Sequence, residues 1–116
     1  MSVKSKIDSL ENELRGYLGD DAFLKLVERF AGKRLFIAKL CRQKPSQVEC
    51  LINRRTAEIL SRYYGGSYVN VPMARSFRAV RYRNQGLSNS RIAVKLGITE
   101  NGVEKIFQRL KQNSGA

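Results

Sequence analysis

The chain has no histidine, two cysteines and two prolines, and it sets ten carboxylates against 22 lysines and arginines in 116 residues. Each shortage excludes something. Without histidine the commonest general base is missing, and with it the Ser-His and Cys-His nucleophile pairs. Cys41 and Cys50 cannot close a tetrahedral zinc site within one chain on their own. Nothing marks the chain as exported, so both read as reduced thiols, with Cys50 a candidate core residue. The carboxylates are scattered. Glu100 and Glu104 lie one helical turn apart, but they share that helix with Lys105 and Arg109 and read as solvated or paired charges. Neither an enzyme, a metal site nor a cofactor is expected. No apolar run is long enough to span a membrane and no basic-then-apolar leader opens the chain, so the expectation is a soluble cytoplasmic protein without a membrane partner.

Positive charge is what the chain has in excess. A formal charge of +12 and a pI near 10.2 favour a polyanion, nucleic acid above all, although an anionic membrane surface exerts the same attraction. The charge is concentrated late: from Met73 onward there are nine Lys or Arg residues and two acids.

That last third carries the most specific pattern. Ile92, Ala93 and Leu96 form one short apolar period, and Val103, Ile106, Phe107 and Leu110 form a second at i, i+3, i+4, i+7. Leu96-Gly97-Ile98-Thr99 joins them. Gly97 can take the positive φ of a sharp turn, Thr99 can cap the following helix, and Ala93 is small where two axes would cross. Two short helices with such a joint predict a helix-turn-helix, whose second helix enters the DNA major groove. With Val103, Ile106, Phe107 and Leu110 inward, the outward face holds Asn101, Glu104, Lys105 and Gln108, the candidate base readers. Asn or Gln pairs with adenine, Lys with guanine, and Glu accepts from cytosine. Gly102 would let the backbone there approach DNA. The candidate phosphate contacts are Ser90 and Arg91 at the start of the preceding helix, with Arg75, Arg78, Arg81 and Lys95.

Upstream, Leu26–Lys39 (LVERFAGKRLFIAK) is echoed by Leu60–Met73 (LSRYYGGSYVNVPM) at an offset of 34 residues. Each copy has a helix end, an aromatic, a glycine break and a short alternating strand, and Leu35 and Ile37 match Val69 and Val71. Two copies are too few for a solenoid and point to two strands meeting, within one chain or between chains. Earlier, residues 5–18 carry Ile7, Leu10, Leu14, Tyr17 and Leu18 at heptad-like spacing, and Asp20 can cap the helix that follows. The Ser46-x-x-Glu49 capping box starts a helix running to about Tyr64, with Val48, Leu51, Ile52, Ile59, Leu60 and Tyr63 inward. Gly65 and Gly66 are either a helix stop or a hinge that sets the spacing of two DNA readers. Pro72 closes the second strand, and a basic helix over 74–85 follows, with Phe77 and Val80 as its apolar contacts.

The expected fold class is therefore mainly α with a short β-strand pair. Residues 1–72 form a helical dimerisation domain with strands over about 33–38 and 67–71, and residues 73–116 form the helix-turn-helix DNA-binding domain. The dimer is expected because the short strands and narrow apolar stripes before Pro72 are hard to bury within one copy.

The Tyr64-Gly65-Gly66 break, the alternating strand to Pro72, the basic helix and the helix-turn-helix together resemble the Mor family of phage transcription activators. The segment from Phe30-Ala31-Gly32 to Lys39 is similar to that family's upstream glycine-strand element, although Ala31 and Ala38 stand where Gly and Pro are frequent. The resemblance covers roughly residues 20–112. It implies an intertwined homodimer that binds inverted repeats near phage promoters and recruits the host RNA polymerase, acting at the nucleoid of a bacterial host. Other functions compatible with the residues are a repressor, an oligomeric viral DNA-packaging adaptor, or a basic module for an acidic partner.

Overall fold

A computed structural model describes residues 6–39 and 45–114, with side chains over 9–39 and 45–112. The Ile7 side chain and Cys41 fall outside that description. The chain is mainly helical with one two-stranded antiparallel sheet, and it divides into two compact units, Met1–Met73 and Ala74–Ala116.

The first unit runs α1 (Lys6–Leu18), α2 (Asp20–Phe30), β1 (Arg34–Ile37), α3 (Gln47–Leu51), α4 (Arg54–Tyr64) and β2 (Ser67–Asn70). Helix α4 contacts α1, α3 and both strands. Leu14, Phe23, Leu26, Val27, Phe30 and Leu60 are buried, each worth roughly 1.5–3 kcal/mol once removed from water. The strands pair with each other inside the chain, Leu35 opposite Val69 and Phe36 opposite Tyr68. Hydrogen bonds from Val71 N to the Lys33 carbonyl and from Gly32 N to the Val71 carbonyl, both 2.9 Å, continue the ladder. Leu35, Ile37, Val69 and Val71 are all buried, the four positions that the internal echo matched.

Several local details differ from the sequence expectation. The segment after Ser46 is two helices, not one. The Ser46 hydroxyl accepts from Glu49 N at 3.1 Å, but the Glu49 carboxylate pairs with Arg54 at 2.8 Å. Asn53 then caps α4 by accepting from Thr56 N at 2.8 Å. This break resets the inward face to Thr56, Ala57 and Leu60, leaving Leu51 and Tyr63 exposed. Gly19, not Asp20, is the residue before α2; Asp20 lies in the first turn and binds Arg15 at 3.1 Å. Cys50 is exposed.

Of the heptad-like stripe on α1, Leu14 is buried, whereas Tyr17 is exposed and stacked on Tyr63 with ring centroids 3.8 Å apart. The neighbouring Tyr64 hydroxyl donates to the Glu13 carboxylate. Burial, then that bond, pushes the Tyr64 phenol above its ordinary range.

The glycine pair lies inside this first unit, between α4 and β2. A Cβ on Gly65 would run into the Ser61 carbonyl. Gly66 has φ +84° and donates to the Ile37 carbonyl at 2.7 Å, so it ends the helix and opens the ribbon. Local turn geometry accounts for both residues. Of the two roles open to this pair, this geometry is that of the helix stop, within the first unit.

The second unit contains α5 (Arg75–Asn84), α6 (Asn89–Leu96) and α7 (Glu100–Ser114), each in contact with the other two. At about forty residues it lies near the lower size limit for a stable core, so its helix ends matter. Phe77, Ala79, Tyr82, Ile92, Ala93, Leu96, Val103 and Ile106 are buried. Val80, expected inward, is exposed, and Tyr82 takes the core position on α5 instead. Among the described residues no helix is long and apolar enough to cross a membrane.

Candidate nucleic-acid interface

The joint between α6 and α7 is built by three devices that fix the direction of α7. Gly97 has φ +71°, and its amide donates to the Val94 carbonyl at 3.2 Å while Ile98 N reaches the Ala93 carbonyl at 3.0 Å. These are the paired bonds of a Schellman turn, which satisfies carbonyls the helix leaves open. The Thr99 hydroxyl accepts from Gly102 N at 3.0 Å and caps α7. At the other end of α6, the Ser88 hydroxyl accepts from Arg91 N at 3.4 Å.

Helix α7 then buries Val103 and Ile106 and half-buries Phe107 and Leu110. Asn101, Glu104, Lys105 and Gln108 are all exposed on it. Two of them, Glu104 and Gln108, line a groove with Arg83, Asn89, Phe107 and Lys111. A Cβ on Gly102 would meet Ile98 Cδ1 at 3.3 Å, a tight contact that a shift of a few tenths of an ångström in that side chain would relieve.

The phosphate candidates divide. Ser90, Arg91 and Lys95 come together on the exposed side of α6, around a shallow groove with Leu87 and Val94. Arg75 is exposed in the first turn of α5 and Arg81 is half-buried. Arg78 is not a surface cation. It is 6% exposed, and its Nη2 donates to the Lys95 carbonyl at 3.0 Å. An arginine so placed serves the C-terminus of α6 and is withdrawn from the phosphate-facing set.

Two residues that matter were not singled out from sequence. Arg83 donates to the Leu87 carbonyl at 3.3 Å and to the Asn89 side chain, with its guanidinium 4.9 Å from the Phe107 ring centroid. It ties α5, the loop before α6 and α7 into one frame beside Glu104 and Gln108. Val94 is 82% exposed, an apolar residue amid the α6 cations. In sequence both sat in patterns that read as ordinary surface. No family model, no curated protein and no solved structure matches this chain.

Proposed function

We propose that the protein is a sequence-specific duplex-DNA-binding transcription activator, with α6 and α7 as its helix-turn-helix and α7 as the reading helix. The observation that carries this is the pairing of a fixed turn with an outward face of hydrogen-bonding side chains. Gly97 and Thr99 set the direction of α7, and Asn101, Glu104, Lys105 and Gln108 stand exposed along it. A helix built only for attraction to phosphate would gain nothing from Glu100 and Glu104, whereas carboxylates among amides and a lysine suit base edges. Ser90, Arg91 and Lys95 on α6 supply the phosphate grip that sets register, and Arg75 adds to it. A cation in the first turn of α5 opposes that helix's dipole, and a bound phosphate would relieve the conflict.

The order of elements and its likeness to the Mor activators support two further parts of the reading. The chain acts as a homodimer through its first unit, and it recruits RNA polymerase at a promoter. Because β1 and β2 pair within one chain, the ribbon itself does not require a second copy, and dimer contacts fall elsewhere on that unit. Footprinting on DNA from the chain's own genomic neighbourhood tests the proposal. Two protected half-sites related by a dyad are expected, together with increased transcription from a reporter carrying the site. Uniform protection that follows charge alone contradicts DNA reading. A dyad footprint with reduced transcription would make the protein a repressor.

A further inference from the structure

The ribbon of the first unit has an outer face that the core does not use. Alternation sends Leu35, Ile37 and Val69 inward and Arg34, Phe36, Tyr68 and Asn70 outward. Phe36 and Tyr68 are direct cross-strand partners with ring centroids 5.2 Å apart, edge to face. They remain 49% and 58% exposed. The Arg34 guanidinium lies 4.2 Å from the Tyr68 ring centroid. A cross-strand aromatic pair helps hold a ribbon of two strands, which is marginal alone. That role needs the ring surfaces turned toward each other. It leaves the outward surfaces in water.

Charge selects the occupant. The strands and their flanks, Ala31–Lys39 and Gly65–Val71, contain Lys33, Arg34 and Lys39 and no carboxylate. All three cations are exposed. Lys39 Cε comes within 3.3 Å of the place a Gly66 Cβ would occupy, so it sits at the opposite end of the ribbon from Arg34. A second copy meeting this ribbon about a two-fold axis would bring two sets of cations together with no carboxylate on either ribbon to offset them. A duplex offers charge but keeps its base faces stacked. A polyanion with accessible planar rings fits both the aromatics and the cations.

We infer that the outer face of the β1–β2 ribbon binds single-stranded nucleic acid. Phe36 and Tyr68 stack on unpaired bases, and Arg34 holds a phosphate beside them. Lys33 and Lys39, exposed at the two ends of the ribbon, attract the strand's backbone as it runs past. This surface belongs to the first unit and α7 to the second, and its activity does not depend on the duplex reading.

Fluorescence anisotropy on the full chain tests it, with labelled oligodeoxythymidylate, an abasic strand of equal length and a duplex of equal charge. The thymidylate strand should bind more tightly than the abasic strand, and the ribbon variant below should leave duplex binding unchanged. A Phe36→Leu, Tyr68→Thr double variant, whose residues suit a strand, should lose at least about five-fold in thymidylate affinity while binding the abasic strand as before. Tyr68→Phe keeps the ring and should keep the affinity. Circular dichroism checks that the double variant folds, and Phe36→Leu alone carries the test if it does not. Equal affinity for the thymidylate and abasic strands overturns the inference, as does unchanged affinity in the folded ribbon variant. An Asn101→Ala, Lys105→Ala variant should bind the thymidylate strand normally. If it loses that binding while the ribbon variant keeps it, the single-strand site belongs to α7 and the inference fails.

Discussion

Replacing Arg78 separates a residue that grips phosphate from one that holds its own unit together. Its guanidinium is buried against the Lys95 carbonyl, in the last turn of α6, with the Tyr82 ring centroid 5.9 Å away. A cation there satisfies a carbonyl that α6 cannot and meets the negative end of the helix dipole. Such a charged hydrogen bond is worth about 1.5–3 kcal/mol. Against it stands Nε, buried without a partner, at a penalty of about 1–3 kcal/mol. The two nearly cancel, so the net contribution is the packing of the alkyl stem. Arg78→Met keeps that stem and removes the buried charge, and it should change stability by less than about 1 kcal/mol. Arg78→Ala also empties the stem's volume and should cost about 2 kcal/mol. Urea denaturation followed by circular dichroism measures both. Below the unfolding transition, the salt dependence of duplex binding should match that of the unaltered chain. If Arg78→Ala leaves stability intact and flattens the log–log salt slope by about 0.9, the side chain contacts a phosphate and the interior role is refuted.

Arg91→Ala should behave in the opposite way, flattening the salt slope by about 0.9 with stability nearly unchanged, and weakening all duplexes evenly. A changed sequence preference would instead make Arg91 a base reader. Gly97→Ala meets no neighbour within 4 Å, so only backbone conformation opposes it. Left-handed strain of about 1–2 kcal/mol, less the ordering gained in the unfolded chain, leaves a loss of about 1 kcal/mol in urea denaturation. No loss would mean that this turn is not left-handed. Tyr64 gives a pH signature. Its folded phenol holds its proton above the usual range, so the unfolded chain ionises first, near pH 10. Stability from this group is complete below that pH and falls as pH rises beyond it. Tyr64→Phe should flatten the alkaline decline seen in thermal melts, and equal slopes in the two proteins would contradict the assignment.

The sequence made visible those features that a residue type imposes locally. Gly97, Thr99 and Ser88 are placed by chemistry that acts over three or four residues, and the structure has the turn and both caps where the pattern put them. The ribbon's inner face was legible for the same reason, through period-two alternation at Leu35, Ile37, Val69 and Val71. What escaped was decided by competition between neighbours. Ser46 and Asn53 each offer an N-cap, and the periodicity of Val48 through Leu60 hid the break that Asn53 makes. Val80 and Tyr82 both suit an inward place on α5, and the larger ring takes it. Arg78 and Arg83 lie in a helix whose charge reads as solvated, yet one is buried and the other binds a carbonyl and a side-chain amide. Only three-dimensional neighbours reveal such roles. Whether β1 and β2 meet within a chain or between chains is equally undetermined by their spacing.

Base reading by α7 is open to a direct test. Selection of bound duplexes from a randomised library, with the unaltered chain beside an Asn101→Ala, Lys105→Ala, Gln108→Ala variant, measures that directly. The unaltered chain should enrich a motif with dyad symmetry. The variant should keep its salt-dependent affinity for duplex but lose preference at positions within each half-site, each reader lost costing about 1–3 kcal/mol on the best sequence. Enrichment of the same motif by both proteins, or of none by either, would contradict the claim that α7 reads bases.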